Sequence, residues 1–180
     1  ESSFHSKNPA VDWRKVKSGE YSLTMRIKGN LADSTTCKNI ILYTGTLRRI
    51  FGVMNLVEAF QLLPDANAEL WICGAGDSEE AIKRAAENDS RINFFGLVDS
   101  RTALQMQRMA TVLVNPRTSE GEYTKYSFPS KTMEYLLSGK CTVINRLPGI
   151  PEEYYDYVYL FNEETQAGYK EKLSEIFKIS

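Results

Sequence analysis

Histidine is almost missing from this sequence. Of 180 residues one is histidine, His5, and it lies in a polar leader. A histidine acid or base in the body of the chain is thereby excluded, so any chemistry must use other groups. Cysteine is sparse too. Cys37, Cys73 and Cys141 lie far apart, and no pair has metal-ligand or redox spacing. Cys73 and Cys141 sit in apolar runs and read as buried thiols, so a reducing, cytoplasmic setting is expected. Charge of one sign is lacking as well. The formal net charge is -1 and the basic residues are scattered, so no strong field draws the chain to nucleic acid or an anionic membrane. No apolar run approaches the roughly 20 residues that span a bilayer. No secretory signal is visible, and Glu1 is not an initiator Met. A piece of a longer protein is therefore expected.

What is present is an alternation. Residues 1–37 are mixed and read as a linker or N-terminal extension, with one alternating run, Tyr21 to Ile27, that suits a strand. From Lys38 the pattern sharpens. Short apolar runs at Asn39–Thr44, Glu69–Cys73, Arg91–Phe95, Thr111–Asn115 and Cys141–Asn145 suit strands buried on both faces. Most of them run into a Gly or Pro turn. Helical spacing fills the gaps: Val53–Leu63 before Pro64, a helix capped by Asp77 or Ser78, one from Asp99 or Ser100 to Met109, and one from Pro129 to Ser138. A shorter strand over Tyr157–Phe161 and a helix from Gln166 close the chain. The pattern predicts an α/β domain over 38–180, a Rossmann-like three-layer open parallel sheet with helices on both faces. Such sheets bind ligands at the carboxyl ends of their strands.

Candidate site residues follow from that rim. Gly45 and Gly52 bracket a loop carrying Arg48 and Arg49, and arginine holds phosphate through charge-assisted bonds. The plainer alternative is two solvated arginines. Gly74-Ala75-Gly76 suits a tight turn or close ligand approach. Gly96 ends the third strand, where backbone can approach a flat ring. The loop from Arg117 to Phe128 is long and polar, with Glu120 and Glu122 in it. The helix after Phe128 is the sharpest candidate. Pro129 suits its first position, and its free amides, with Ser130 and Lys131, can hold an anion. Glu134 lies on the same face as Ser130 and Lys131, and a solvated Lys–Glu pair is the bland alternative.

Taken in order, these segments resemble the C-terminal, nucleotide-sugar-binding domain of GT-B glycosyltransferases, of the retaining family 4 or group 1 type. The matching stretches are a strand followed by Gly45-Thr46-Leu47, Leu70 to Gly76, Phe94 to Val98, Val112 to Pro116, and Phe128 to Lys131 with Glu134 to Lys140. The resemblance covers about 38–161.

The resemblance implies a donor domain that binds an NDP-sugar as substrate, with no metal or other cofactor. Glu134 would bond the donor ribose. Ser130 and Lys131 would sit by the diphosphate, with Arg48 or Arg49 as further basic ligands in the loop of Gly45 and Thr46. The backbone near Val98 would meet the base. Tyr126 stands where members often carry the first of two glutamates, and Thr46 and Phe51 stand where basic residues are usual. No residue is singled out as catalytic. The acceptor would bind a second, N-terminal domain absent from this sequence, and any peripheral membrane association would run through that half. Polysaccharide synthesis is the family's usual setting. Two other readings stay open: a GT-B-like sugar-nucleotide epimerase, and a non-catalytic domain that has lost its donor contacts.

Overall fold

The computed structural model describes residues 38–125 and 130–178. The expected extension over 1–37, its strand at Tyr21 to Ile27, and Tyr126, Phe128 and Pro129 lie outside the described residues.

The five apolar runs form strands β1 (Asn39–Thr44), β2 (Ala68–Cys73), β3 (Ile92–Gly96), β4 (Val112–Asn115) and β5 (Cys141–Ile144), joined by a short β6 (Tyr159–Leu160). Helices α1 (Val53–Gln61), α2 (Glu79–Asn88), α3 (Ser100–Met109), α4 (Ser130–Leu137) and α5 (Gln166–Ile176) alternate with them. The sheet has six parallel strands in the order β3-β2-β1-β4-β5-β6. The chain moves outward from β1 to β3, then returns through α3 to lay β4 against the other side of β1. The order therefore reverses between β1 and β4, and a crevice opens above that point.

Period-two alternation divides the apolar side chains between two layers. Ile41, Tyr43, Leu70, Ile72, Val112, Val114 and Val143 pack with α1, α2 and α5 through Leu56, Phe60, Ile82, Tyr169 and Leu173. Ile40, Leu42, Trp71, Cys73 and Leu113 face the other way, onto Met106 of α3 and Tyr135 of α4. A smaller cluster of Ile144, Leu147 and Ile150 with Tyr154, Tyr155 and Leu160 closes the β5–β6 edge.

Local differences from the sequence pattern have identifiable causes. Asp77 and Ser78 were expected to cap α2, but neither side chain does. Asp77 is drawn away, accepting from the Arg49 amide at 2.7 Å and from the Ser78 hydroxyl at 3.1 Å. Asp99 caps α3 as expected, accepting from the Thr102 amide at 2.9 Å and the Thr102 hydroxyl at 3.0 Å. The last strand is shorter than Tyr157–Phe161, because a 3-10 turn over Glu152–Tyr157, begun by Pro151, takes up its first residue. Gly139 stops α4 in a left-handed conformation, φ +67°, where a side chain would be strained.

Leu113 is fully buried at the centre of the sheet, whereas Leu62 is 51% exposed at the end of α1. Leu113→Ala should destabilise the chain by about 2–5 kcal/mol in urea unfolding. Leu62→Ala should stay within about 0.5 kcal/mol of wild type. Equal losses would contradict the layer assignment.

Candidate functional site

The crevice at the strand-order reversal is a cleft of about 470 Å³. Thr44, Gly45 and Thr46 after β1, Cys73 to Ala75 after β2, and Leu97 and Val98 after β3 form one side. Ser100, Ala103 and Leu104 of α3 and Lys131 and Glu134 of α4 complete it.

The strand-end loops are held together as though the sheet continued. The Gly45 amide donates to the Cys73 carbonyl at 3.0 Å, Leu47 to Ala75 at 2.9 Å, and Gly74 to Gly96 at 2.8 Å. Such contact demands glycine. A Cβ on Gly74, at φ +147°, would lie 1.8 Å from the Gly45 carbonyl oxygen, and one on Gly76 would lie 2.4 Å from that of Leu47. The Gly74-Ala75-Gly76 turn thus serves close approach of two backbones. Leu47 is fully buried and anchors the first loop. Tyr43 shapes the same loop, its hydroxyl donating to the Thr46 carbonyl at 2.8 Å. Burial pushes the Tyr43 phenol up to about 12, with the Arg117 charge pulling slightly the other way.

α4 is fastened from beneath. Its Tyr135 is fully buried, and the Tyr135 hydroxyl accepts from the Thr44 amide at 2.8 Å, with the Thr44 side-chain oxygen 3.1 Å away. One turn earlier, the Thr132 hydroxyl accepts from Asn115 Nδ2 at 3.0 Å. Thr44 ends β1 and Asn115 ends β4, so α4 straddles the two strands at the reversal. That fixes the outward face of the helix, where Lys131 Nζ donates to both Glu134 carboxylate oxygens at 3.0 and 2.9 Å. The two side chains are about a third exposed, so their pairing is worth at most about 1 kcal/mol and yields readily to a better partner. Gln107 of α3, itself fully buried, donates its Nε2 to Glu134 Oε1 from the protein side.

Seven residues singled out in the sequence therefore meet in one cleft: Gly45, Thr46, Gly74, Ala75, Val98, Lys131 and Glu134. Ser130 begins α4, exposed beside Lys131. Arg48 and Arg49 do not line the cleft. The buried Leu47 turns the chain, and both arginines emerge exposed beyond it, with Arg48 over the Phe51 ring at 5.8 Å. Tyr126 falls outside the described residues. Gln107, Asn115, Thr132 and Tyr135 were not singled out. Gln107 carried a signal, being polar on the apolar stripe of Ala103, Met106 and Ala110.

Chemically, the cleft offers a lysine and a carboxylate on the first turns of α4, near a helix start where backbone amides carry partial positive charge, a set that suits an anion next to a hydroxyl. Cys73 is a poor nucleophile there, because burial pushes its thiol up to about 12 despite the Lys131 charge. Among the described residues no group of three or more His, Cys, Asp or Glu gathers as a metal site. Nor is any described helix long and apolar enough to cross a membrane.

The family profile described as "Glycosyl transferases group 1" matches residues 38–178. No curated protein sequence matches the chain. Several solved structures share the fold. A glycosyltransferase from Rickettsia africae superposes with a TM-score of 0.67 at 16% identity, over 94% of this chain and 43% of its own. HepE from Anabaena, solved with UDP and glucose, gives 0.63 at 13% identity over 79% of this chain and 39% of its own. The C-terminal domain of the group 1 protein LpcC from Francisella tularensis gives 0.61 at 19%, over 78% of this chain and 75% of its own. The chain thus spans about two fifths of HepE and of the Rickettsia enzyme.

Tyr135→Phe removes the hydroxyl that holds the buried Thr44 amide and leaves that donor unsatisfied. A loss of about 1–3 kcal/mol in urea unfolding is expected. An unchanged midpoint would show that this bond does not secure α4.

Proposed function

Because the chain belongs to the group 1 glycosyl transferases, we propose that its cleft is the donor site of a retaining glycosyltransferase that uses a nucleoside-diphosphate sugar. The observation that carries the reading is the placing of Lys131, Glu134 and the start of α4 together at the strand-order reversal. A diphosphate needs positive charge and amide donors. A ribose needs a carboxylate that can accept from two neighbouring hydroxyls. These lie one helical turn apart on α4. The UDP and glucose held by HepE, a protein of the same fold, support the reading.

When the bond from sugar to diphosphate breaks, negative charge develops on the leaving oxygens. Lys131 and the α4 amides stabilise that charge, and they are in position before the reaction, so little reorganisation opposes it. In the free protein Lys131 rests on Glu134. An arriving diphosphate draws the lysine away, and the vacated carboxylate oxygens take the ribose hydroxyls. Gln107 keeps the carboxylate in place during the exchange. Leu97, Val98 and Leu104 form an apolar wall suited to the base. The acceptor binds a second domain beyond this chain, as its two-fifths span of HepE suggests, and any membrane association belongs to that half. By itself the chain binds nucleotide and transfers no sugar. Polysaccharide or lipid-linked glycan assembly in the cytoplasm is the setting that fits.

Calorimetric titration with UDP, GDP and ADP tests this. One of them should bind, and Lys131→Met should weaken that nucleotide and inorganic pyrophosphate alike. Glu134→Ala should weaken the nucleotide by about tenfold to a hundredfold, a charged hydrogen bond's worth, yet leave pyrophosphate no weaker, because Lys131 is released. Failure of all three nucleotides to bind, or a Glu134→Ala protein that binds equally well, would overturn the donor-site reading.

A further inference from the structure

Gln107 is fully buried on α3, on an apolar stripe with Ala103, Met106 and the following Ala110. A methionine would fill such a place with no polar group to satisfy. The amide is, moreover, only half satisfied. Its Nε2 donates to Glu134 Oε1, while its own Oε1 is buried without a hydrogen-bond partner. Turning the amide over would aim Oε1 at the carboxylate, acceptor against acceptor. Glu134 therefore dictates the orientation. The unmatched oxygen is a penalty that the fold carries for the sake of one bond.

That bond differs from the others at the carboxylate. Lys131 donates to both oxygens of Glu134 at 3.0 and 2.9 Å, but both side chains are about a third exposed. A phosphate can draw the lysine away. Gln107 has no solvent to turn to, so it stays on Glu134 when the lysine leaves. Among the described residues it also supplies the hydrogen bond that ties α3 to α4. Ala103 and Leu104 of α3 line the cleft with Val98, and Glu134 lines it from α4. The bond thus sets the carboxylate relative to the apolar wall.

A carboxylate held at one oxygen has a fixed plane. It presents two acceptors to two neighbouring hydroxyls, and a ligand that lacks one hydroxyl leaves an acceptor unserved. A carboxylate free to swivel re-aims at the remaining hydroxyl and at water, and so separates the two ligands less well. We infer that Gln107 is the positioning residue that gives the cleft a preference for ribose over deoxyribose in the nucleoside. This rests on the reading of the cleft as a nucleoside-diphosphate site with Glu134 on the ribose. The selecting group touches no ligand itself. It acts through Glu134 from beneath, on a different helix.

The test uses calorimetry on the 180-residue chain. Whichever of UDP, GDP and ADP binds is compared with its deoxyribose counterpart, dUDP, dGDP or dADP, and with inorganic pyrophosphate. Wild type should prefer the ribonucleotide by about tenfold, the worth of one charge-assisted hydrogen bond. In Gln107→Met the ribonucleotide should weaken until that preference is within about twofold, while the deoxynucleotide and pyrophosphate each change by less than about twofold. In a Glu134→Ala background the same substitution should leave the ribonucleotide unaffected, because the two side chains act as one unit. If Gln107→Met does not fold, Gln107→Asn, whose amide stops one carbon short of the carboxylate, gives the same readout. A preference that survives in the variant overturns the inference and leaves the donor-site reading intact. So does equal weakening of ribonucleotide, deoxynucleotide and pyrophosphate, the mark of a structural role. Wild type that binds ribonucleotide and deoxynucleotide equally also overturns it, with the diphosphate half of the donor reading untouched. Wild type that binds none of the three ribonucleotides sinks the donor-site reading, and the inference with it.

Discussion

Thr44 ends β1 with its amide held by a tyrosine hydroxyl, and the arrangement of the cleft depends on that bond. A parallel strand that runs into an open crevice leaves backbone groups without a neighbouring strand to pair with. Tyr135 satisfies one of them from the buried side of α4. Asn115 and Thr132 form the matching link to β4. Because Thr132 and Tyr135 are three residues apart, they lie on one side of the helix, and Lys131 and Glu134, each one residue earlier and so about 100° round the axis, form the adjacent face that lines the cleft. Two buried hydrogen bonds thereby decide where two charged groups stand.

The same economy holds on the far side of the reversal. Buried Asn145 and Tyr169 hold the carbonyls of Pro116 and Arg117, while stacking of Phe161 on Tyr169, with centroids 3.9 Å apart, ties that network to the edge of the sheet. Buried polar bonds beneath and a partly exposed ion pair above combine a fixed backbone frame with charged groups that solvent, or a ligand, can reach. The weak Lys131–Glu134 pair suits an exchange of partners, since its two ends must part for a ligand that has both phosphate and hydroxyls.

The fold was largely legible because strands buried on both faces have no polar alternation to confuse them. Ile40 to Tyr43 and Leu70 to Cys73 announce themselves, and the turns after them are marked by Gly45 and Gly74. Lys131 and Glu134 were legible because a helix repeats locally, so three residues of separation already means contact. Arg48 and Arg49 were placed on the rim by topology, but the buried Leu47 between them and Gly45 carries them past it. The contacts of Tyr135 with Thr44 and of Asn115 with Thr132 join elements distant in sequence, and nothing local distinguishes such a tyrosine from an ordinary core residue. Asp77 shows the same limit on a smaller scale. Its position beside a helix start suggested a cap, yet an amide 28 residues away claims its carboxylate.

In the proposed donor complex, one nucleoside diphosphate spans the cleft from the apolar wall at Val98 to the start of α4. A crystal structure of the chain soaked with whichever of UDP, GDP or ADP binds tests it most directly. Ribose hydroxyls should lie within hydrogen-bonding distance of Glu134, with Lys131 turned from that carboxylate onto phosphate and the base against Leu97 and Val98. Nucleotide bound elsewhere, such as the smaller cleft beside Arg146 and Tyr155, or a Lys131–Glu134 pair left undisturbed by the ligand, would contradict it.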